Sequence, residues 1–410
     1  MKCRHCKTEL KHIFVDLSYS PVSNAMLTEE QLNEPESYYP LKIFVCQECY
    51  LVQVDEMQKA DNIFDEEYTY FSSFSKSWLQ HAKNYVEMMI VRFGFNENSQ
   101  VIEIASNDGY LLQYFKEQNV PVLGVDPTAN TANAAEKKGI RTIVDFFSSR
   151  LAKEQLAEAG RKADLIIGNN VLAHVPDIND FVRGMKIALK EDGVITMEFP
   201  HLMKLVEECQ FDTIYHEHFS YLSFFAVKRI FESQGLKMFD VEEIPTHGGS
   251  LRIFAKHKND NSKEISSNVE ALVQKEKAEG IDTLEYYEGF QSRVEKIKYD
   301  SLSFLIEEKR KGKKIIGYGA AAKGNTLINY CGIKGTDLIE FVVDASPYKQ
   351  GKYLPGSHIP VVSKEKIEEY KPDYVIILPW NLKKEISGQL DYIREWGGKF
   401  VIFIPELTIF

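Results

Sequence analysis

Four consecutive residues, Tyr215-His-Glu-His218, each carry a side chain that can donate, accept or hold a proton. In an extended chain the two histidines would point the same way and could chelate a metal. In a turn, Tyr215 and His218 would share one side, and Glu217 could orient an imidazole. A third interpretation is a polar cluster satisfied at a domain boundary. The density of proton-moving groups favours acid–base catalysis, to which His174 adds another imidazole.

A second stretch, Glu103-Ile-Ala-Ser-Asn-Asp-Gly109, reads as a strand that ends in a loop loosened by glycine. Glu103 would face the amino-acid end of S-adenosylmethionine, and Gly109 would let the backbone approach a ligand closely. Ala105 and Asn107 stand where such loops commonly have glycine, so an ordinary turn without a ligand stays open. A loop poor in phosphate-binding features favours a sulfonium cofactor over a dinucleotide.

Two later strand ends would complete that cofactor pocket. Asp126 lies 17 residues after Gly109 and is placed to accept both ribose hydroxyls. Asp145 and Phe146 follow the next strand and would flank adenine through hydrogen bonding and stacking.

The loop Gly317-Tyr-Gly319-Ala-Ala-Ala-Lys323-Gly324-Asn325 is a competing nucleotide site, with Asp344 downstream. Its last glycine is displaced from the usual dinucleotide spacing. Amides at a helix N-terminus together with a lysine suit a diphosphate, with or without a nicotinamide attached. A tight turn with no ligand is the alternative.

Two cysteine pairs, Cys3-x-x-Cys6 and Cys46-x-x-Cys49, are separated by 39 residues. Thiols of a cytosolic chain stay reduced, so this pairing predicts a metal site rather than disulfides. Four thiolates suit one tetrahedral Zn²⁺ and leave no open position, which predicts a structural role.

The elements that must position these residues fall into three blocks. Residues 1–85 form a zinc-binding module that ends in an aromatic segment serving as a lid or linker. Residues 86–260 alternate strand and helix, which predicts a parallel sheet with crossover helices. Residues 261–410 begin with a charged helical region and continue as a second Rossmann-like α/β domain. The predicted fold class is therefore α/β.

Composition excludes several classes of partner. The 410-residue chain has a net charge of −11, which argues against nucleic acid because phosphate binding needs a basic surface. No apolar run approaches the roughly 20 residues that span a bilayer, and the N-terminus has no apolar signal core. A cytoplasmic monomer or weak homodimer without membrane contact is expected.

The motifs together resemble the nucleotide-sugar C-methyltransferases of deoxysugar biosynthesis over essentially the whole chain. The resemblance rests on the paired cysteines and on the following segments: Tyr70-Phe-Ser-Ser73, Glu103–Gly109, Asn169-Asn-Val-Leu-Ala-His174, Phe211-Asp-Thr-Ile-Tyr-His-Glu-His-Phe-Ser220 and Gly317–Gly324. It implies an N-terminal zinc module, a central class I methyltransferase domain and a C-terminal domain that helps to hold the sugar nucleotide.

The resemblance also implies roles for individual residues. His218 would be the general base, supported by Tyr70, His174, Tyr215 and Glu217, and whether Tyr68 or Tyr70 reaches the sugar stays open. The predicted cofactor-binding residues are Glu103, Ser106, Asn107, Gly109, Asp126, Asp145, Phe146 and Asn169. The predicted substrate-binding residues are Tyr68, Asn170, His216, Gly319, Lys323, Gly324 and Asn325.

The sequence therefore predicts an S-adenosylmethionine-dependent enzyme that methylates carbon 3 of a nucleotide-linked 4-keto-6-deoxy sugar. The nucleotide expected from the resemblance is dTDP, with GDP and CDP as alternatives. Two rival hypotheses are an NAD-dependent sugar-nucleotide oxidoreductase that uses the Gly317–Gly324 loop and a non-catalytic scaffold that binds nucleotides.

Overall fold

The structure is a computed structural model that describes residues 1–57 and 71–410. Its strands, in chain order, are β1 His12–Ser20, β2 Tyr39–Val45, β3 Val52–Val54, β4 Val101–Ile104, β5 Val122–Asp126, β6 Thr142–Val144, β7 Ala163–Asn169, β8 Leu189–Pro200, β9 Ser220–Tyr221, β10 Leu236–Ile244, β11 Ser250–His257, β12 Ile315–Tyr318, β13 Val342–Val343, β14 Val361–Val362, β15 Tyr374–Ile377, β16 Lys399–Ile402 and β17 Thr408–Ile409.

The α-helices are Lys76–Phe93, Leu112–Glu117, Ala129–Lys137, Ser149–Leu151, Ile178–Ala188, Leu202–Glu207, Phe224–Ser233, Ser267–Glu279, Phe290–Arg310, Ala322–Cys331, Glu365–Tyr370 and Lys383–Gln389. Short 3₁₀ turns at Leu172–His174, Phe211–Thr213 and Thr246–Gly248 carry or precede the residues of the site. Within the described ranges, no helix is long and apolar enough to cross a membrane.

Three sheets organise the chain. The first has the order β1-β2-β3-β9 and is antiparallel. The second has seven strands in the order β10-β11-β8-β7-β4-β5-β6, and the third has six in the order β14-β13-β12-β15-β16-β17. The predicted α/β class is therefore confirmed, while the boundaries at 85 and 260 stay predictions.

The central sheet differs from the predicted all-parallel arrangement at one edge. Strands β4 to β8 pair in parallel, but β11 runs antiparallel to β8, and β10, which the sequence analysis did not predict, runs antiparallel to β11. A short turn joins β10 to β11, and so short a connection permits only an antiparallel pair. The parallel strands still end together, which gathers their following loops at one edge.

Turns and glycines interrupt several of these elements. The helix after the Glu103–Gly109 loop begins at Leu112, because the residues before it form turns. Strand β13 has only two residues, Val342 and Val343. The charged region 261–312 is interrupted between its two helices, since Gly280 and Gly289 adopt left-handed conformations there.

The first and third sheets share one apolar core. Phe14 of β1 stacks on Phe290, the first residue of the helix Phe290–Arg310, with ring centroids 4.4 Å apart.

Strand β9 begins two residues after His218 and pairs with β3, so that Val52 lies opposite Tyr221. The motif is consequently held between the N-terminal sheet and the central seven-stranded sheet.

Candidate active site

The Tyr215–His218 motif forms a tight turn rather than an extended strand. The amide of His218 donates to the carbonyl of Tyr215 at 3.0 Å, and the Tyr215 hydroxyl lies 2.9 Å from His218 Nε2. His218 Nδ1 lies 2.9 Å from the carbonyl oxygen of Thr213, which can only accept. This assigns the proton to Nδ1, so Nε2 carries the lone pair and accepts from Tyr215.

A second imidazole faces His218. His174 ends the 3₁₀ turn after β7, and its Nδ1 donates to the carbonyl of Glu217 at 2.7 Å. The rings of His174 and His218 meet edge to face with centroids 4.6 Å apart. The structure therefore brings together His174, Tyr215 and His218 from two separate segments, as the sequence analysis predicted.

Burial keeps both imidazoles neutral. It lowers the pKa of His174 to about 4, and it holds the pKa of His218 well below its usual value, with His174 adding to the shift. A neutral imidazole with a lone pair on Nε2 can accept a proton at physiological pH, which is the state that a general base needs.

Glu217 does not orient an imidazole through its carboxylate. Its Oε1 accepts from Asn24 Nδ2 at 3.1 Å, while Oε2 has no hydrogen-bond partner among the described residues. Burial raises the pKa of Glu217, and the hydrogen bond from Asn24 opposes that shift. Asn24 lies in the loop after β1 and was missed by the sequence analysis, because nothing local links an isolated asparagine to a motif nearly 200 residues away.

His216 lies on the opposite side of the motif from His218. Its Nε2 donates to the carbonyl of Pro40 at 3.2 Å, and its ring packs against Tyr39. The turn conformation separates the two histidines, since only in an extended chain would alternate side chains share a side. The two-histidine metal interpretation is thus not the one that the structure adopts, and His216 contacts the N-terminal sheet.

The C-terminal domain contributes a half-buried amine, that of Lys323, to the same region. Lys323 Nζ lies 3.2 Å from Asn381 Oδ1 and 5.0 Å from the ring centre of Trp380. Trp380 in turn donates from Nε1 to Asp212 Oδ2 at 2.8 Å. Burial raises the pKa of Asp212 to about 6 and lowers the pKa of Lys323, and the two opposite charges moderate each other.

His247 links this cluster to the predicted substrate residue Asn170. Asn170 follows β7 with a φ of 55°, and its Nδ2 lies 3.0 Å from His247 Nε2. The carbonyl of His247 lies 3.5 Å from Lys323 Nζ. Asp212, His247 and Trp380 were not among the predicted site residues. His247 could have been found from its place in the glycine-rich turn Thr246–Ser250 at the edge where the parallel strands end.

The loop after β4 has the backbone of a glycine-rich cofactor loop. Ala105, Asn107 and Gly109 all have positive φ, at 57°, 49° and 73°. A Cβ on Gly109 would lie 2.6 Å from Ile140 Cδ1 and 3.3 Å from Ala135 Cβ at a left-handed φ, so a side chain there would be both strained and crowded. The conformation that glycine usually supplies is thus retained at Ala105 and Asn107, and it brings backbone amides to the carboxyl end of the sheet.

Asp126, at the end of β5, stabilises this loop. Its Oδ2 accepts from the Asn107 amide at 2.8 Å, and its Oδ1 accepts from the Thr128 amide at 2.9 Å. Oδ1 also accepts from the hydroxyls of Thr128 and Thr131, so its acceptor capacity is used within the protein. Oδ2 has the Asn107 amide as its one donor among the described residues and retains capacity for a ribose hydroxyl. Glu103 is fully buried one strand away, where burial raises its pKa well above the usual value.

Other predicted cofactor residues surround the same edge. Asn169, at the end of β7, is 9% exposed, and both polar atoms of its side chain have no hydrogen-bond partner among the described residues. The hydroxyl of Ser106 is likewise buried and without such a partner. Buried polar atoms without partners indicate a site shaped for a polar ligand. Asp145 and Phe146 follow β6, where Asp145 pairs with Arg150 at 3.2 Å.

The segment after residue 70 reaches this loop, although Tyr68 and Tyr70 themselves lie outside the described residues. The amide of Ser72 donates to Asn107 Oδ1 at 3.0 Å. Lys138 Nζ donates both to Ser73 Oγ and to the carbonyl of Asp108, each at 2.8 Å. The chain that leaves the predicted aromatic lid therefore contacts the cofactor loop directly.

The Gly317–Gly324 loop is built for packing. A Cβ on Gly319 would meet Pro379 at 2.5 Å, and one on Gly324 would meet Leu378 at 2.8 Å. Asp344, which would hold ribose in a dinucleotide site, instead accepts from the amides of Ala320 and Ser346 at 2.7 and 2.8 Å. Asn325 is buried, and its side chain has no hydrogen-bond partner among the described residues.

The four cysteines form one cluster. The Sγ atoms of Cys3, Cys6, Cys46 and Cys49 all lie within 4.8 Å of one another. Gln53 Nε2 donates to Cys3 Sγ at 3.3 Å, an outer contact typical of thiolate ligands. Four converging thiols with no other acidic or imidazole group in the set fit one tetrahedral Zn²⁺.

Comparisons with known proteins agree with this arrangement. A zinc binding domain model matches residues 3–64, a methyltransferase domain model matches 78–241, and a C-methyltransferase C-terminal domain model matches 245–405. The chain is 34% identical over 405 residues to the C-methyltransferase NovU from Streptomyces niveus, covering 99% of this chain and 96% of NovU.

The chain belongs to the C-methyltransferase family. Its methyltransferase domain uses S-adenosylmethionine, and its four-cysteine cluster is that of the zinc-binding domain, as the sequence analysis predicted. The dinucleotide oxidoreductase and the non-catalytic scaffold are not supported by this match.

More distant similarities cover only part of the chain. The ubiquinone biosynthesis O-methyltransferase of Bartonella quintana is 27% identical over 99 residues, which is 24% of this chain and 40% of that protein. The crystal structure of an N1-methyltransferase for 1,6-didemethyltoxoflavin from Burkholderia thailandensis covers 51% of this chain and 95% of its own, with 16% identity and a TM-score of 0.37.

Proposed function

We propose that this C-methyltransferase removes the proton from carbon 3 of a nucleotide-linked 4-keto-6-deoxy sugar and methylates the resulting enolate. The proposed nucleotide is dTDP, with GDP and CDP as alternatives. The observation that carries the proposal is the half-buried His218, whose lowered pKa keeps it neutral and whose Nε2 lone pair lies beside the Tyr215 hydroxyl, 2.9 Å away. A base and a hydroxyl donor side by side are what enolisation of a ketone requires.

The chemistry divides between the two groups. A hydrogen next to a ketone is acidic because the carbanion delocalises onto the ketone oxygen. His218 Nε2 would take that proton, and the Tyr215 hydroxyl would turn from Nε2 to the developing oxyanion. His174, whose ring lies 4.6 Å from that of His218, would fix the orientation of the base. No metal is required for this step.

The cofactor residues would orient the methyl donor over the same carbon. When bound, S-adenosylmethionine supplies an electrophilic methyl group. The residues that would hold it are Glu103, the amides of the Ser106–Gly109 loop, Asp126 and Asn169. Placing the acceptor carbon in line with a methyl group lowers the barrier chiefly by orientation.

The substrate would lie between the two Rossmann-like halves. Lys323 and the start of the helix Ala322–Cys331 would bind the diphosphate, since an amine and helix N-terminal amides both attract anions. Asn170, Asn325 and Glu217 present polar side-chain atoms that have no hydrogen-bond partner among the described residues. Such atoms suit the hydroxyl groups of a sugar.

The test separates proton removal from methyl transfer. With S-adenosylhomocysteine bound, the wild-type enzyme in D₂O should wash deuterium into carbon 3 of dTDP-4-keto-6-deoxyglucose or of its GDP and CDP counterparts. His218→Asn should lower both exchange and methylation by roughly 10²-fold or more, because asparagine accepts no proton at neutral pH. Tyr215→Phe and His174→Asn should slow exchange less, since the base remains.

His257→Asn is the matched control, because His257 lies at the far end of β11 from the site, with its Nε2 near the carbonyl of Leu189. It should exchange at the wild-type rate. Near-normal exchange in His218→Asn together with its loss in His174→Asn would assign the base to His174. Exchange at no carbon of any of the three sugars would overturn the proposed substrate class.

A further inference from the structure

The first zinc-binding cysteine pair reaches the catalytic histidines through the residue inside it, Arg4. The guanidinium is buried and donates to three backbone carbonyls: from Nη2 to Val54 at 2.6 Å, from Nη1 to Pro176 at 3.1 Å and from Nε to Phe219 at 3.3 Å. Its carbon also lies 4.9 Å from the ring centre of Phe219.

Two of these carbonyls flank the histidines. Phe219 follows His218 directly, and Pro176 comes two residues after His174. The third, Val54, ends β3. A guanidinium presents its donors in a rigid planar fork, so three carbonyls bound to it are held at fixed separations. Arg4 therefore sets the spacing between the two segments on which the imidazoles stand.

A second path joins the same elements. Gln53 of β3 accepts from the Arg4 amide at 2.8 Å through Oε1 and donates to Cys3 Sγ at 3.3 Å through Nε2. In the strand pairing, Gln53 lies opposite Ser220, two residues after His218. The cysteine cluster and the strand that follows the base thus share one buried glutamine.

The charge of Arg4 does not by itself explain its burial. The nearest carboxylate oxygen in an ion pair with it, Glu56 Oε2, is 3.9 Å from Nη1, and the Glu56 side chain is 41% exposed. Exposed pairs at that distance stabilise little. The buried guanidinium instead donates hydrogen bonds to three carbonyls, which belong to three separate segments of the chain.

We propose that Arg4 is a positioning residue for the reaction, and that the cysteine cluster holds it where it fixes the His174–His218 geometry. The proposal rests on the function proposed above only for the roles of the two histidines. The zinc module then aligns the proton-transfer groups as well as stabilising the fold.

The experiment compares Arg4→Ala, Arg4→Lys and Arg229→Ala in the full-length, zinc-loaded protein. Arg229 is the matched control, because it also bonds a carbonyl inside a cysteine pair, that of Glu48 at 2.8 Å, but reaches neither histidine segment. Zinc content and unfolding temperature are measured first. Deuterium exchange into dTDP-4-keto-6-deoxyglucose and the ¹⁵N imidazole signals of His174 and His218 are then recorded, with kcat and KM for methylation.

We expect Arg4→Ala to keep its zinc, to shift the signals of both histidines, and to lose roughly 10-fold or more in exchange and kcat with a smaller change in KM. Guanidinium chloride at low, non-denaturing concentration should partly restore exchange in Arg4→Ala but not in Arg4→Lys. Arg229→Ala should match wild type. Unchanged imidazole signals and exchange in Arg4→Ala would overturn the proposal.

Two further outcomes are also decisive. If Arg4→Ala loses zinc or unfolds, Arg4→Lys decides, since lysine keeps the charge and the stem but not the fork: wild-type histidine signals in that variant would overturn the proposal. If wild-type protein shows no exchange, the proposed substrate fails, but displaced histidine signals in the Arg4 variants would still support the positioning role.

Discussion

Hydrogen bonding at His218 decides which nitrogen can act as a base. The Thr213 carbonyl takes the Nδ1 proton and leaves Nε2 to face Tyr215. A turn with Tyr215 and His218 on one side was one of three interpretations that the residue types left open, and it is the one that forms. The protonation state of the pair, by contrast, follows from burial and from carbonyl contacts that no local pattern reveals.

Substitution of Asp126 tests whether the cofactor binds at the loop after β4. Asp126→Ala removes the acceptors for the Asn107 and Thr128 amides and the proposed acceptor for the ribose. Affinity for S-adenosylhomocysteine should weaken by roughly 1.5–3 kcal/mol, measured by calorimetry. Asp126→Asn keeps one acceptor oxygen and should lose less. Equal affinity in wild type and Asp126→Ala would place the cofactor elsewhere.

The depressed pKa of His247 gives a prediction about pH and stability. Burial lowers the pKa of His247 from 6.5 to about 4, with Lys323 adding to the shift, so the unfolded chain binds a proton more readily than the folded one. This contribution to stability is complete above pH 6.5 and is lost as pH falls toward 4. Between pH 6.5 and 4 the free energy of unfolding of His247→Gln should therefore fall by roughly 2–3 kcal/mol less than that of wild type.

Urea unfolding of both proteins from pH 7 to pH 4.5 measures that difference. Release of zinc at acid pH lowers the stability of both proteins alike, so it drops out of the difference between them. Parallel stability curves for wild type and His247→Gln would show that His247 is not buried as a neutral imidazole.

Among the secondary-structure elements, the strand-loop-helix units of the central sheet were the part that the sequence predicted best. Strands β4 to β8 and their loops were predicted because continuous apolar runs end at Glu103, Asp126 and Asn169. Strand β10 was missed, since its polar residues Asp240, Glu242 and Glu243 interrupt an apolar run at a sheet edge. The contact of Asn24 with Glu217 could not be predicted, because it arises only when the loop after β1 packs against a segment 193 residues away.

Two substitutions in the cofactor loop should change the stability of the protein in opposite directions. Ala105 has a φ of 57°, where a Cβ is strained, so Ala105→Gly should stabilise the protein by up to about 1 kcal/mol. Gly109 also has a positive φ, and a Cβ there would lie 2.6 Å from Ile140 Cδ1. Gly109→Ala should therefore lower the free energy of unfolding by roughly 2 kcal/mol or more. Denaturant unfolding of both variants checks this. Destabilisation by Ala105→Gly would contradict the loop geometry.

At the scale of the whole molecule, the N-terminal module, the methyltransferase sheet and the C-terminal domain meet at one motif. Asn24 contacts Glu217 from the first, His174 contacts its carbonyl from the second, and Thr326 Oγ1 donates to the Ile214 carbonyl from the third at 2.9 Å. The resemblance indicated three such parts, but their convergence on residues 214–217 is a product of the fold.

Loss of zinc should therefore affect the whole protein. Metal analysis should give about one equivalent of zinc per chain, because four thiolates complete one tetrahedral site. Cys3→Ser should lose the metal, lower the unfolding temperature and reduce methyl transfer together. Cys331→Ala, at a buried cysteine outside the cluster, should keep its zinc. A metal-free Cys3→Ser protein with normal stability and activity would contradict the structural role.

The pairing of β3 with β9 also constrains how the chain can fold during synthesis. Val52 leaves the ribosome long before its partner Tyr221, so the N-terminal sheet must wait, with β3 as an open edge, for more than 160 further residues. Exposed strand edges pair readily with other chains, and contacts of large sequence separation form late. The nascent module is therefore exposed to aggregation during synthesis, and the His218 segment is fixed against the N-terminal sheet only when β9 arrives.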